Sequence, residues 1–310
     1  MSPSAAWRAR AWGVLLVNAA TLAWASNAVL GRYLRDDIGP LSLAALRFAV
    51  ATALMLPLMR SLPPAQRRPG PDRWWIAGMA VTGVAGFSPL LYWGLHHSTA
   101  VNSSLIQGFS PLITALFAGL IIGEAVSLRQ WAAALVGLVG VAGLISGGSL
   151  DYLLRLEINR GDLLFLVSAV NWAFYSVFSR RVMRNRSALA ATILSNLAGL
   201  PLLLAGAAIE LAHGPAPRLG LANLAAIVHI CLVPTIIGYW SWNRAVQALG
   251  AGGAMVFYNT LPLYGAVLGA VLLGESLGPA HLVFGGLILA GGLWGSLGGL
   301  GRPGAGKAPS

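Results

Sequence analysis

Ten apolar runs of about twenty residues, separated by short polar turns, leave this chain one kind of fold. They cover residues 11–34, 40–60, 74–95, 99–122, 128–146, 161–181, 187–209, 222–245, 251–273 and 280–300. A run of that length crosses the hydrocarbon of a bilayer as a helix. Hydrocarbon offers no partner to a backbone amide, and a helix satisfies its own. Only 9% of the residues are charged, against about 25% in soluble domains. The connections are too short to hold a soluble domain. The chain is expected to be an all-α polytopic membrane protein.

The runs are not independent of one another. Gln107, Pro111, Gly123, Glu124 and Gly140 recur as Tyr258, Pro262, Gly274, Glu275 and Gly291, each 151 positions on. One offset shared by five landmarks argues for an internal duplication. Each copy holds an odd number of spans, so the second enters the membrane upside down. The expected architecture is ten transmembrane helices arranged as two inverted five-helix repeats. The repeats take residues 10–147 and 160–300, and 301–310 form a flexible cytoplasmic tail. Inverted repeats are a frequent transporter plan, with the binding site where the halves meet.

Charge sets the orientation. Fourteen basic residues fall on the side of the N-terminus and five on the other, with Arg47 left inside a span. The excess of Arg and Lys marks the cytoplasmic side, so both termini are expected there. The net charge of +11 follows from this topology and implies no nucleic acid. Arg8 and Arg10 before an apolar run resemble a signal peptide, with Ala23-Trp24-Ala25 as a cleavage site. Nine further spans favour an uncleaved first helix instead. The single cysteine, Cys231, excludes an internal disulfide.

Pro111 and Pro262 stand near the middle of equivalent spans. A proline inside a helix frees the carbonyl four residues earlier, here that of Gln107 or Tyr258. Interrupted helices in matching positions of two halves point to a transporter's binding site. Packing kinks are the competing reading. The two prolines are candidate hinges. Arg47 lies about two turns into the second span. It is expected to snorkel to the nearby outer interface, the alternative being a role inside the membrane. Glu124 and Glu275 sit in tight turns just before helix N-termini, where negative charge is stabilised. Ser127 to Gln130 fits a capping box. Gly137, Gly140 and Gly143 in the fifth span and Gly285, Gly286, Gly291, Gly292 and Gly295 in the tenth allow close helix packing, or a dimer surface.

Several chemistries are excluded. Gly274-Glu275-Ser276-Leu277-Gly278 matches G-x-S-x-G, but a membrane span precedes it where the motif needs a strand. Gly299 to Gly304 matches G-x-G-x-x-G without a strand–helix unit around it. An enzyme is not expected, and neither is a cofactor. His96 and His97 have no cysteine or carboxylate cluster to complete a metal site. None of the nine acids falls at mid-span, which favours facilitated movement over ion coupling. The middle of the bundle offers neutral polar and aromatic groups instead: Trp24, Asn27, Tyr92, Ser104, Gln107, Asn171, Trp172, Tyr175, Asn243, Tyr258 and Asn259. Amides and hydroxyls serve both ends of a zwitterion, and aromatic rings hold an apolar or cationic body. Each residue singly could equally bridge helices.

The two five-helix halves, the Pro40 to Arg47 pattern, and Pro111 to Gly123-Glu124 echoed by Pro262 to Gly274-Glu275 resemble the drug/metabolite transporter superfamily. Within it the chain is similar to the family with two EamA domains over nearly all of residues 10–300. By overall likeness it looks most like the exporters of aromatic amino acids and paraquat. The second half holds Ser195 where the first has Arg47. The resemblance implies a carrier in a bacterial inner membrane, working by alternating access. Its implied substrates are amino acids or similar small metabolites, moved as a monomer or homodimer within the lipid bilayer. Two alternatives stand: a proton-coupled antiporter of drugs or organic cations using Glu124 or Glu275, and a non-transporting membrane scaffold or sensor.

Overall fold

The computed structural model describes residues 3–98, 103, 106–107, 110–123, 126–146, 148–149, 151, 160–273 and 278–297. All regular elements among them are helical. Seven of the helices are long and apolar enough to cross a bilayer. Those over Ser110–Ile122, Leu128–Ile145 and Pro279–Leu297 bring the spans to ten, in two inverted five-helix repeats. The first span, Pro3–Leu34, starts at what is called here the N-terminal face, and successive spans alternate in direction.

Local chemistry sets where the spans begin. Pro40 and Pro279 open the second and tenth spans, where a missing N–H removes no helical bond. The fifth span starts on the expected capping box: Ser127 N–H donates to Gln130 Oε1 at 3.0 Å and Gln130 N–H to Ser127 Oγ at 3.2 Å. The fifth and tenth spans pack closely through small residues. A Cβ at Gly140 or Gly143 would run into Ile288 or Phe284.

The third span packs antiparallel against the sixth, joining the two halves. Gly78, Gly83 and Gly94 of the third each lie under a ring of the sixth, namely Phe178, Tyr175 and Phe165. A Cβ at any of the three would collide with that ring.

Both halves carry a π-helical segment in their third span. It covers Ala80–Gly86 in one half and Val233–Gly238 in the other. Such insertions leave backbone carbonyls without helical partners and often mark functional sites. In the second half the cause is visible. Pro234 cannot donate to the carbonyl of Ile230, and Thr235 Oγ1 donates there instead at 2.7 Å.

The ninth span is interrupted. It runs Ala251–Tyr258, turns at Asn259 and Thr260, and resumes as Leu261–Leu273. Pro262 is thus the second residue of a fresh helix, not a kink within a continuous one. The turn is fastened to the first span by Thr260 Oγ1 and Thr21 Oγ1 at 2.9 Å. In the fourth span Pro111 is the second residue of Ser110–Ile122, and residues 108–109 before it lie outside the described set.

The halves are clamped at both faces. At the face opposite the N-terminus, Glu210 of the seventh span accepts from Leu41 N–H at 3.0 Å and Ser42 N–H at 2.7 Å. It caps the second span in place of a local N-cap side chain. Arg218 pairs with Asp37 nearby at 3.9 Å. At the N-terminal face the roles are exchanged. The start of the seventh span, at Ser187, donates its N–H to Gln66 Oε1 at 3.1 Å. There Arg186 pairs with Asp72 at 2.9 Å and donates to the carbonyl of Pro69 at 2.6 Å.

Candidate functional site

The centre of the bundle is aromatic. Trp24 from the first span meets Trp172 from the sixth edge-on, ring centroids 4.7 Å apart. Trp242 from the eighth lies 5.5 Å from Trp24 and 5.3 Å from Trp172. Tyr258, at the end of the first segment of the ninth span, lies about 6 Å from all three. Tyr175 stacks on Trp172 at 5.2 Å, and Tyr239 closes the group at 5.6 Å from Tyr175. Each of these rings is buried.

Two of these rings are anchored through the π segments. Trp24 Nε1 donates to the carbonyl of Pro234 at 3.0 Å, and Tyr239 Oη to the carbonyl of Gly83 at 3.0 Å. The freed backbone therefore fixes the rings in place. By contrast, Trp172 Nε1 and Trp242 Nε1 are buried with no acceptor among the described residues. A buried donor left unmade costs about 1–3 kcal/mol. Two such donors lie in one cluster.

Polar pairs flank the rings. Tyr92 Oη donates to Asn27 Oδ1 at 2.6 Å. In the other half Asn243 Nδ2 donates to Tyr175 Oη at 3.1 Å and to Thr192 Oγ1 at 2.6 Å. These pairs are the same device exchanged. The shift of 148 that takes Trp24 to Trp172 takes Asn27 to Tyr175, and the repeat offset of 151 takes Tyr92 to Asn243. The sequence carried this signal as a swap of residue types, which comparing identical residues overlooks.

Arg47 is the main correction to the sequence reading. It does not snorkel. Its side chain is 1% exposed. Nε donates to Thr235 Oγ1 at 2.8 Å, and Nη1 to Tyr92 Oη at 2.7 Å and Asn27 Oδ1 at 3.2 Å. Acceptors from the first, third and eighth spans outcompete the interface for the guanidinium. Arg47, Thr235, Tyr239 and Trp242 all belong to this centre, though sequence reasoning placed none of them in the site.

The remaining sequence candidates scatter. Gln107 is buried and donates weakly to Ser168 Oγ at 3.4 Å. Asn171 is half-buried against Gly86. Asn259 faces Gly137 of the fifth span, its amide buried without a partner among the described residues. Ser104, Glu124 and Glu275 lie outside the described residues. The described acids Asp37, Asp72 and Glu210 serve the clamps. Among the described residues no group of three His, Cys, Asp or Glu side chains could hold a metal ion.

At the face opposite the N-terminus lies a cleft of about 300 Å³. Asp37, Ser42, His96, Glu210 and Arg218 are among its walls. Ser42 is buried, and its Oγ has no partner among the described residues.

Inverted helical repeats meeting at a buried aromatic and polar centre define a membrane solute carrier. Comparison with known proteins narrows the class. The chain belongs to the EamA-like transporter family, whose pattern matches residues 11–146 and again 159–296. It is 29% identical to a probable terminal-alkyne amino-acid exporter of Streptantibioticus cattleyicolor, over 90% of this chain and 91% of that one. Similarity extends to YyaM, an uncharacterised transporter of Bacillus subtilis, at 27% over 76% and 77% of the two chains. An uncharacterised protein of Pseudomonas aeruginosa is 30% identical over 86% and 88%. A solved crystal structure shares the fold at a TM-score of 0.73 and 22% identity, covering 93% of this chain and 97% of its own. The protein is a transporter.

Proposed function

We propose that this protein exports amino acids, aromatic ones among them, across a bacterial inner membrane by alternating access. The N-terminal face is cytoplasmic on this reading, and movement runs down the substrate's own gradient. The observation that carries it is the pair of buried indole N–H groups, Trp172 and Trp242, without acceptors among the described residues in an aromatic cluster. Rings of this kind suit an apolar or aromatic side chain. The idle donors suit a substrate oxygen. The Streptantibioticus relative, named an amino-acid exporter, supports the substrate class. The π segments at matching places of the third and eighth spans support rocking of one half against the other around a fixed centre. None of the nine acids falls at mid-span, which supports uncoupled movement.

The test is uptake of an amino-acid panel into liposomes holding the pure protein, with and without a pH gradient. Aromatic amino acids should equilibrate without the gradient. Trp172→Ala should slow large substrates more than small ones, by roughly 2- to 13-fold, since a ring contact is worth about 0.5–1.5 kcal/mol. Failure to move any amino acid, or accumulation that requires a pH gradient, overturns the reading.

A further inference from the structure

Arg47 presents a problem that packing does not solve. A cation inside a membrane span is costly unless a counter-charge meets it. No carboxylate among the described residues pairs with this one. Its three acceptors are a threonine hydroxyl, a tyrosine hydroxyl and an amide oxygen, all neutral. Those bonds use the Nε hydrogen and both Nη1 hydrogens. The two Nη2 hydrogens have no acceptor among the described residues. The rings of Phe48 and Tyr92, 5.0 and 5.8 Å from the guanidinium carbon, supply cation–π contact but no charge.

Position adds the second part. Thr235, which accepts from Arg47, follows Pro234, whose carbonyl accepts from Trp24. The cation and the aromatic cluster are therefore anchored to consecutive residues of one π segment. Ser42, in the wall of the cleft, lies five residues before Arg47 on the same helix, a rise of about 7.5 Å. Arg47 thus shares its helix with a wall of the cleft, and its π-segment anchor with the Trp24 ring. Unlike the Asn–Tyr pair, this charge is not duplicated: the matching place in the second half is Ser195.

From these observations we infer that Arg47 is the anchor for the substrate's carboxylate. The inference rests on the reading that the centre of the bundle carries amino acids. A carboxylate accepts from the free Nη2 edge, supplies the missing counter-charge, and leaves the substrate's side chain toward Trp24, Trp172 and Trp242. With Nε and Nη1 already engaged, the bond to the carboxylate is made through Nη2 alone and is charge-assisted. The same positive charge repels a net cation. The site therefore selects free amino acids and other carboxylates over amides, esters and amines of the same shape.

Two measurements on the full-length protein test this. In liposomes, wild-type transport of phenylalanine is compared with that of phenylalaninamide. In detergent, thermal stabilisation by 3-phenylpropionate is compared with that by phenethylamine. Wild type should favour each carboxylate by about tenfold or more, the scale of one charge-assisted hydrogen bond. In Arg47→Gln the preference should fall toward one, through loss on the carboxylate side, while amide transport persists. Arg47→Lys should keep the preference with weaker apparent affinity, and it decides the matter if the glutamine variant fails to fold. Equal loss for acid and amide in Arg47→Gln, or no preference in wild type, overturns the anchor and leaves amino-acid export standing. Carboxylate stabilisation that depends on Arg47, with no amino acid transported, keeps the anchor and removes the export reading.

Discussion

Thr235 performs two tasks with one hydroxyl. It donates to the carbonyl that Pro234 strands at Ile230, and it accepts from Arg47 Nε. Thr235→Val keeps the shape and removes both bonds. Each buried group left unsatisfied costs about 1–3 kcal/mol, so the variant should melt at a clearly lower temperature, whereas Thr235→Ser should melt near wild type. A valine variant as stable as wild type would mean that these bonds are incidental. The fate of Arg47 could not be read from its own neighbourhood in the sequence. Two turns into a span, an arginine is as close to the interface as to the bundle centre. The choice is made by Asn27, Tyr92 and Thr235, which lie 20, 45 and 188 positions away. Trp24 and Trp172 were legible, because aromatic residues at matching depth in two copies of one repeat must approach the same axis.

Spans were the easiest elements to read, since apolar length alone defines them. What happens inside a span was harder. Proline and glycine announce irregularity but not its kind. Pro262 proved to begin a helix after a turn, and the π segments at Ala80–Gly86 and Val233–Gly238 carried no signature beyond Gly83, Gly86 and Pro234. Their geometry depends on side-chain donors, the hydroxyl of Thr235 within the second segment and, from elsewhere, the hydroxyl of Tyr239 on the first and the indole of Trp24 on the second. Gly83 tests whether the first π segment matters as an element. Its carbonyl receives Tyr239, and its missing Cβ makes room for Tyr175. Gly83→Ala should displace both rings and destabilise by about 1–3 kcal/mol, the usual cost of overpacking. Serine at the exposed Gly119, where a Cβ would meet nothing, is the control and should leave melting and transport unchanged. Transport by Gly83→Ala at the wild-type rate would show that the ring positions are not needed.

Across the whole molecule, the inverted repeat relates the two clamps, and they are unequally buried. Exchanging the halves turns the Glu210 cap on the second span into the Gln66 contact with the seventh. It likewise turns Asp37–Arg218 into Arg186–Asp72 with the charges reversed. The two are not equally strong. Asp72 and Arg186 are 8% and 5% exposed, and Arg186 is also held by loop carbonyls. Arg218 is 79% exposed, so its ion pair contributes little, and Glu210 carries that clamp together with the bond from Arg218 N–H to the Asp37 carbonyl at 2.8 Å. The cleft of about 300 Å³ lies on this weaker side. On the alternating-access reading, the face opposite the N-terminus should open first. A single cysteine at Ser42, in a Cys231→Ser background, reports this through its reaction with a membrane-impermeant thiol reagent. Glu210→Gln weakens the acceptor for Leu41 and Ser42 and should speed the reaction. Arg186→Ala frees the buried N-terminal clamp, shifts the balance toward opening there, and should slow it. Substrate should slow it in every background by holding the halves together. If the two variants change reactivity in the same direction, the clamps are not opposed, and the inverted contacts only hold the bundle together.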